Sequence, residues 1–132
     1  VLAHSGATGI VKERMTMMKD IAAQMKTLGK MVKGENGYQS NAAASAADVM
    51  VKHAEHMSEM FPKGTNEHPS EALPVIWQDW EKFARLTAEL KEAATGLSKA
   101  DVDATEASEI GPQFIAVGKT CSSCHEAFRK KK

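Results

Sequence analysis

Apolar residues recur at steps of three and four along almost the whole chain, and that spacing commits it to helices before any other feature is weighed. After Ser5, Gly6 and Thr8, the positions Val11, Met18, Ile21, Met25, Leu28 and Val32 fall on one helical face, with Gly34 and Gly37 as the stop. A second stripe opens after Ser40 and Asn41 and runs through Ala43, Ala47, Met50, Ala54, Met57 and Phe61 to Pro62, whose missing amide ends it. Gly64, Asn66 and Pro69 then mark a surface loop between Lys63 and Ser70. The third stripe is expected to start with Pro74 in its first turn and to carry Ile76, Trp80, Phe83, Thr87, Leu90 and Ala94 to about Leu97, followed by a break over Ser98 to Asp103. The fourth aligns Ala107, Ile110, Phe114, Val117, Cys121, Cys124 and Phe128, and Gly111 with Pro112 predicts a kink or a later true start.

Alternating Val, Ile and Thr runs, the mark of strands, do not occur. Four amphipathic helices with short links predict an all-α fold, an antiparallel up-down-up-down four-helix bundle, and 132 residues suit a single domain over 1–132. Alanines on the inner face of the second helix either let helix axes approach closely or leave room for a bulky guest. With 42% hydrophobic and 26% charged residues the chain reads as globular, neither disordered nor fibrous. Seventeen Lys and Arg balance seventeen Asp and Glu, so nothing in the net charge draws it to nucleic acid. No apolar run reaches the roughly 20 residues needed to span a bilayer, so it is not expected to be membrane-spanning. Arg129, Lys130, Lys131 and Lys132 gather positive charge at one end, and Asp101, Asp103, Glu106 and Glu109 form an acidic run; both read as solvated surface.

Cys121-Ser122-Ser123-Cys124-His125 is the C-x-x-C-H pattern of covalent haem attachment. Two thiols on one helical turn match the two vinyl groups to which they add, and the adjacent imidazole reaches the iron as an axial ligand. Rival readings lack their context. A thioredoxin-like pair needs a βαβ setting, and a structural zinc site needs four ligands at a spacing that His4, His53, His56 and His68 do not supply. Those four histidines read as surface or loop residues.

The placement of the motif in a C-terminal helix, the four-helix pattern, the Trp-bearing third helix and the ending Cys-Ser-Ser-Cys-His-Glu-Ala-Phe-Arg-Lys together resemble class II cytochromes c, the cytochrome c′ and c-556 family. The resemblance implies a bundle enclosing one covalently bound haem c, an electron carrier rather than an enzyme, redox proteins as partners, and a monomer or a homodimer through the first two helices. It also implies a periplasmic protein, exported by a signal peptide that is not part of this chain. The family has two branches. High-spin cytochromes c′ lack a sixth protein ligand and bind nitric oxide or carbon monoxide; low-spin c-556 types use a methionine of the first helix.

Met15, Met17, Met18, Met25 and Met31 all lie in the first helix, with Met18 on the inward stripe at a depth matching His125 in an antiparallel bundle. Arg14-Met15-Thr16-Met17-Met18-Lys19 also resembles the Arg-x-x-x-Met-Lys stretch of the low-spin branch, which makes Met18 the expected ligand. Met15, one turn earlier, is the alternative, and plain packing is the other possibility. The resemblance further assigns Arg14 to a haem propionate and Arg129 to covering the imidazole of His125, against ordinary exposed helix arginines. Trp80 and Phe83 are expected in the core or pocket wall, Trp77 stays open, and Lys119 with Lys130, Lys131 and Lys132 could dock an acidic redox partner.

Overall fold

Each apolar stripe becomes a long helix in the computed structural model of the chain, which describes residues 8–35 and 37–131. The expectations on His4, Ser5, Gly6 and Lys132 lie outside the described residues. Helix α1 spans Gly9–Val32, and Gly34, at a φ of 78°, makes the left-handed turn that follows it. Helix α2 spans Ala42–His56 and tightens into a 3-10 turn over Met57–Met60. Pro74 precedes the single-turn α3, Val75–Gln78, and α4 follows over Trp80–Asp103. After a 3-10 turn at Ala107–Glu109, α5 covers Gly111–Phe128 with Pro112 in its first turn. The glycine-proline pair is therefore a true start, not a kink, because proline's missing amide is harmless there.

Two boundaries differ from the sequence expectation. A bend at Asp79, with φ −126° and ψ 57°, separates α3 from α4 where one helix was expected. The expected break over Ser98 to Asp103 is helical, because Asp101 points inward and not to solvent. Its carboxylate is fully buried and accepts hydrogen bonds from the Tyr38 hydroxyl and from the amides of Asn41, at 3.0 Å, and Ala44, at 2.8 Å. Asn41, the N-cap residue of α2 with a φ of 74°, makes no capping bond with its own side chain. Asp101 thus satisfies the exposed amides of α2 from another helix, and its reading as solvated surface is corrected.

The long helices alternate in direction. Glu55 with Lys91 at 3.4 Å, Asp48 with Ser98 at 2.8 Å and Ala44 with Asp101 set α2 antiparallel to α4. Asp20 with His53 and Arg14 with Met60 do the same for α1 and α2. Between α1 and α5, a Cβ on Gly29 would lie 3.5 Å from the Phe114 ring and one on Gly118 would lie 4.0 Å from the Met25 methyl. The result is the up-down-up-down bundle.

Leu28, Met50, Ile76, Phe83, Leu97, Ile110 and Val117 fill the interior, each burial of a large side chain being worth about 1.5–3 kcal/mol. Four buried alanines, Ala43, Ala46, Ala47 and Ala54, let α2 lie close on α4, its most extensive contact, whereas α1 and α5 touch least of the adjacent long pairs. Among the described residues no helix is long and apolar enough to cross a membrane.

Candidate cofactor site

Beyond the Met25–Gly118 contact, a cavity of about 750 Å³ lies between α1, α4 and α5, within the roughly 300–1,000 Å³ typical of small-molecule and cofactor sites. The α1 stripe divides here. Leu28 goes wholly to the core and Ile21 is buried at the cavity edge, while Val11, Met18 and Met25 face the cavity together with Met15 one turn before Met18. On α4, Phe83, Leu86, Thr87 and Leu90 form the floor.

The wall on α5 carries the motif. A gap of two residues puts Cys121 and Cys124 on one face, both half-buried and lining the cavity, while Ser122 and Ser123 between them are exposed. His125 and Phe128 complete that wall. Burial pushes the Cys124 thiol up to about 11, with Cys121 beside it acting in the same direction. Burial also raises Cys121, opposed by a hydrogen bond with Thr120. Dithiol redox centres work through a lowered thiol, so these surroundings oppose that chemistry. Apolar walls, two thiols one turn apart and an imidazole on the same face fit a flat macrocycle bonded through two thioethers.

Residues 60–73, running from the end of α2 to α3, form a strap along the cavity, with His68, Pro69, Ser70, Glu71 and Ala72 in its lining. Arg14 grips it. The guanidinium donates from Nη1 to Met60 O at 3.3 Å and Thr65 Oγ1 at 2.5 Å, and from Nη2 to Thr65 O at 2.5 Å and Ser70 Oγ at 2.9 Å. It also lies 4.5 Å over the Phe61 ring, a cation–π contact. Arg14 is only 4% exposed, so it is not an ordinary surface arginine, and burial lowers its pKa. Among the described residues no carboxylate pairs with it. Both terminal nitrogens serve the strap.

At the other wall, Arg129 Nη2 pairs with Glu71 Oε1 at 3.3 Å, and both residues line the cavity. Backbone bonds reinforce the junction: the amide of Leu73 donates to Phe128 O at 2.9 Å and that of Lys130 to Glu71 O at 2.8 Å. Lys119, Lys130 and Lys131 are exposed.

Other expectations are met unevenly. Phe83 lines the cavity and packs edge-on to Phe61 and Phe128. Trp80 does not line it. Placed just after the Asp79 bend, it is 38% exposed and leans on Phe83 from outside, with ring centroids 5.2 Å apart. Trp77 donates its indole N–H to Phe61 O at 2.9 Å. His53 bonds Asp20 across α1 and α2 at 2.7 Å, His56 meets Glu59 at 3.0 Å, and His68, though exposed, sits at the cavity mouth. The loop expected over Lys63 to Ser70 falls within the strap, but Ser70 is buried and the strap's fastening carries no local sequence signal, since the bonds from Arg14 span 46 to 56 residues. Among the described residues no group of three or more His, Cys, Asp or Glu is arranged to hold a metal ion.

The family model described as Cytochrome C′ matches residues 9–129. A cytochrome c-554 of Cereibacter sphaeroides is 32% identical over 126 residues, covering 92% of this chain and 93% of that protein. A cytochrome c-556 of Agrobacterium tumefaciens is 32% identical over 124 residues, 94% of this chain and 99% of the relative. Among solved structures, cytochrome c′ from Rhodopseudomonas palustris superposes with a TM-score of 0.86 at 26% identity, over 96% of this chain and 99% of that one.

Proposed function

Since the chain belongs to the cytochrome c′ family, a class II cytochrome c with one covalently bound haem c, we propose that it is a periplasmic electron carrier whose axial residues are His125 and Met18. The bound haem supplies a one-electron couple. Cys121 and Cys124 would hold it through two thioethers, and the imidazole of His125 would ligate its iron. Phe83, Leu86, Leu90 and Phe128 exclude water from the cavity.

The observation that supports Met18 is the register of α1 against α5. Going from the Gly29–Phe114 pair to the Met25–Gly118 pair moves four residues down α1 and four up α5. Seven further residues in each direction bring Met18 level with His125. By the same count Met25 lies level with Gly118 and Met15 falls beyond the imidazole. A soft thioether from Met18 together with the imidazole of His125 would suit a carrier whose coordination stays constant through each electron exchange.

In this reading the protein is a carrier, not an enzyme, and acidic redox proteins dock near Lys119, Lys130 and Lys131. Arg14 would pair its guanidinium with a haem propionate, and Arg129, held by Glu71, would cover His125. The second reading, an open distal face that binds nitric oxide or carbon monoxide, draws on the family model being that of cytochrome c′.

Optical spectroscopy of the ferrous protein separates the two. A low-spin spectrum is expected in the wild type, and Met18→Ala should turn it high-spin with fast carbon monoxide binding, while Met15→Ala and Met25→Ala keep it low-spin. A wild type that is already high-spin moves the assignment to gas binding. Loss of the low-spin spectrum in Met15→Ala instead keeps electron transfer and moves the ligand.

A further inference from the structure

Two arginines bracket the candidate axial pair, Arg14 four residues before Met18 and Arg129 four residues after His125. In antiparallel helices those two steps lead to the same end of the bundle. There the side chains reach adjacent residues of the strap, Arg14 on Ser70 and Arg129 on Glu71.

The strap is fastened differently on its two sides. To α5 it is joined by backbone, through Leu73 to Phe128 and Lys130 to Glu71, with an antiparallel bridge between Ala72 and Arg129. To α1 it is joined by the fork of Arg14, which engages Thr65 twice and the buried hydroxyl of Ser70. Bonds from a cation are about twice as strong as neutral ones, and losing one here leaves part of a buried charge unpaired. Ser70 Oγ is further fixed by the amide of Ala72, which donates to it at 3.1 Å.

Resting on the reading of Met18 and His125 as the axial pair, we propose that Thr65 and Ser70 are positioning residues. Acting through Arg14, they make the strap a cross-tie that sets the distance from the α1 wall carrying Met18 to the α5 wall carrying His125. Of the adjacent long pairs α1 and α5 touch least, and residues of both line the cavity, so direct packing between them does little to fix their separation. Ligation by a side chain on one helix against a ligand on another tolerates little change in that separation, because misplacement by about 1 Å undoes a preorganised site.

The test uses the holoprotein with Thr65→Val and Ser70→Ala combined, which removes both hydroxyls at nearly constant volume. Carbon monoxide binding to the ferrous protein should quicken by about tenfold or more, the equivalent of about 1.4 kcal/mol. Hydrogen–deuterium exchange should rise over residues 14–18 and 70–73, with α2 and α4 unchanged. The conservative pair Thr65→Ser with Ser70→Thr keeps both hydroxyls and should restore wild-type behaviour. Arg14→Lys keeps the charge without the fork and should behave like the hydroxyl-less variant. Wild-type gas binding and exchange in that variant overturn the proposal, as does a lysine variant indistinguishable from wild type. A wild type that is high-spin from the start sinks the axial reading alone; the cross-tie is then upheld or overturned by the exchange data, which do not depend on the ligand.

Discussion

Two buried charges sit at opposite ends of this bundle and are satisfied in opposite ways. Asp101, where α4 ends and α2 begins, is fully buried and collects two backbone amides and a tyrosine hydroxyl. Arg14, where α1 begins and α2 ends, is 4% exposed and spends its terminal nitrogens on two carbonyls and two hydroxyls of the strap. The first charge completes a regular element by capping α2 and stands apart from the cavity. The second completes no helix and lines the cavity, so what it orders is the irregular segment beside the site. The same expedient, a buried ion with neutral partners, serves architecture at one end and the site at the other.

Asp101→Ala is the harshest way to break that contrast. It leaves two amides and a hydroxyl without their acceptor, for an expected loss of about 3–5 kcal/mol in guanidinium unfolding of the holoprotein. The visible spectrum of the folded fraction should not change, because the cavity lies at the other end; a spectral change in folded Asp101→Ala would unite the two ends. Tyr38→Phe is milder. It removes one donor of the three, and a loss of about 1 kcal/mol, again without spectral change, is the expected denaturation result.

The smallest effect belongs to a pair lying between the two ends, Asp20 with His53. The carboxyl of Asp20 is held below its ordinary value, first by the hydrogen bond with His53 and then by that with Gln24. A depressed carboxylate stabilises the fold above its unfolded pKa and loses that contribution as pH falls through the lower folded value. The stability difference between wild type and Asp20→Asn should therefore be flat above the ordinary value of 3.8 and fade below it. A pH titration of melting temperature checks this, and a difference that fades between neutrality and pH 5 would contradict it.

What could be read from the sequence depended on how far apart the cooperating residues lie. Cys121, Cys124 and His125 are legible because attachment chemistry is local, five residues of one helix. The helix stripes were legible for the same reason, each periodicity being internal to its element. The choice among the α1 methionines narrowed but did not close, since three of them turn to one cavity and only contacts with α5 set the depth. Asp101 could not be read, because the amides it caps are 57 and 60 residues away and the residue looks like any other acid near a helix end. The grip of Arg14 on the strap was hidden in the same way. Trp80 follows the stripe in number but not in space, because one bend at Asp79 turns it outward.

The alanine seam of α2 has a mechanical consequence. Small side chains seat that helix deep on α4, with little lever arm for relative motion, so the two behave as a stiff spine. The opposite pair, α1 and α5, meets sparsely, and the flexible side chains of Met15, Met18 and Met25 on α1 line the cavity. The sparsest contact between adjacent long helices thus falls on the two walls that carry Met18 and His125, and the most extensive falls on the alanine seam.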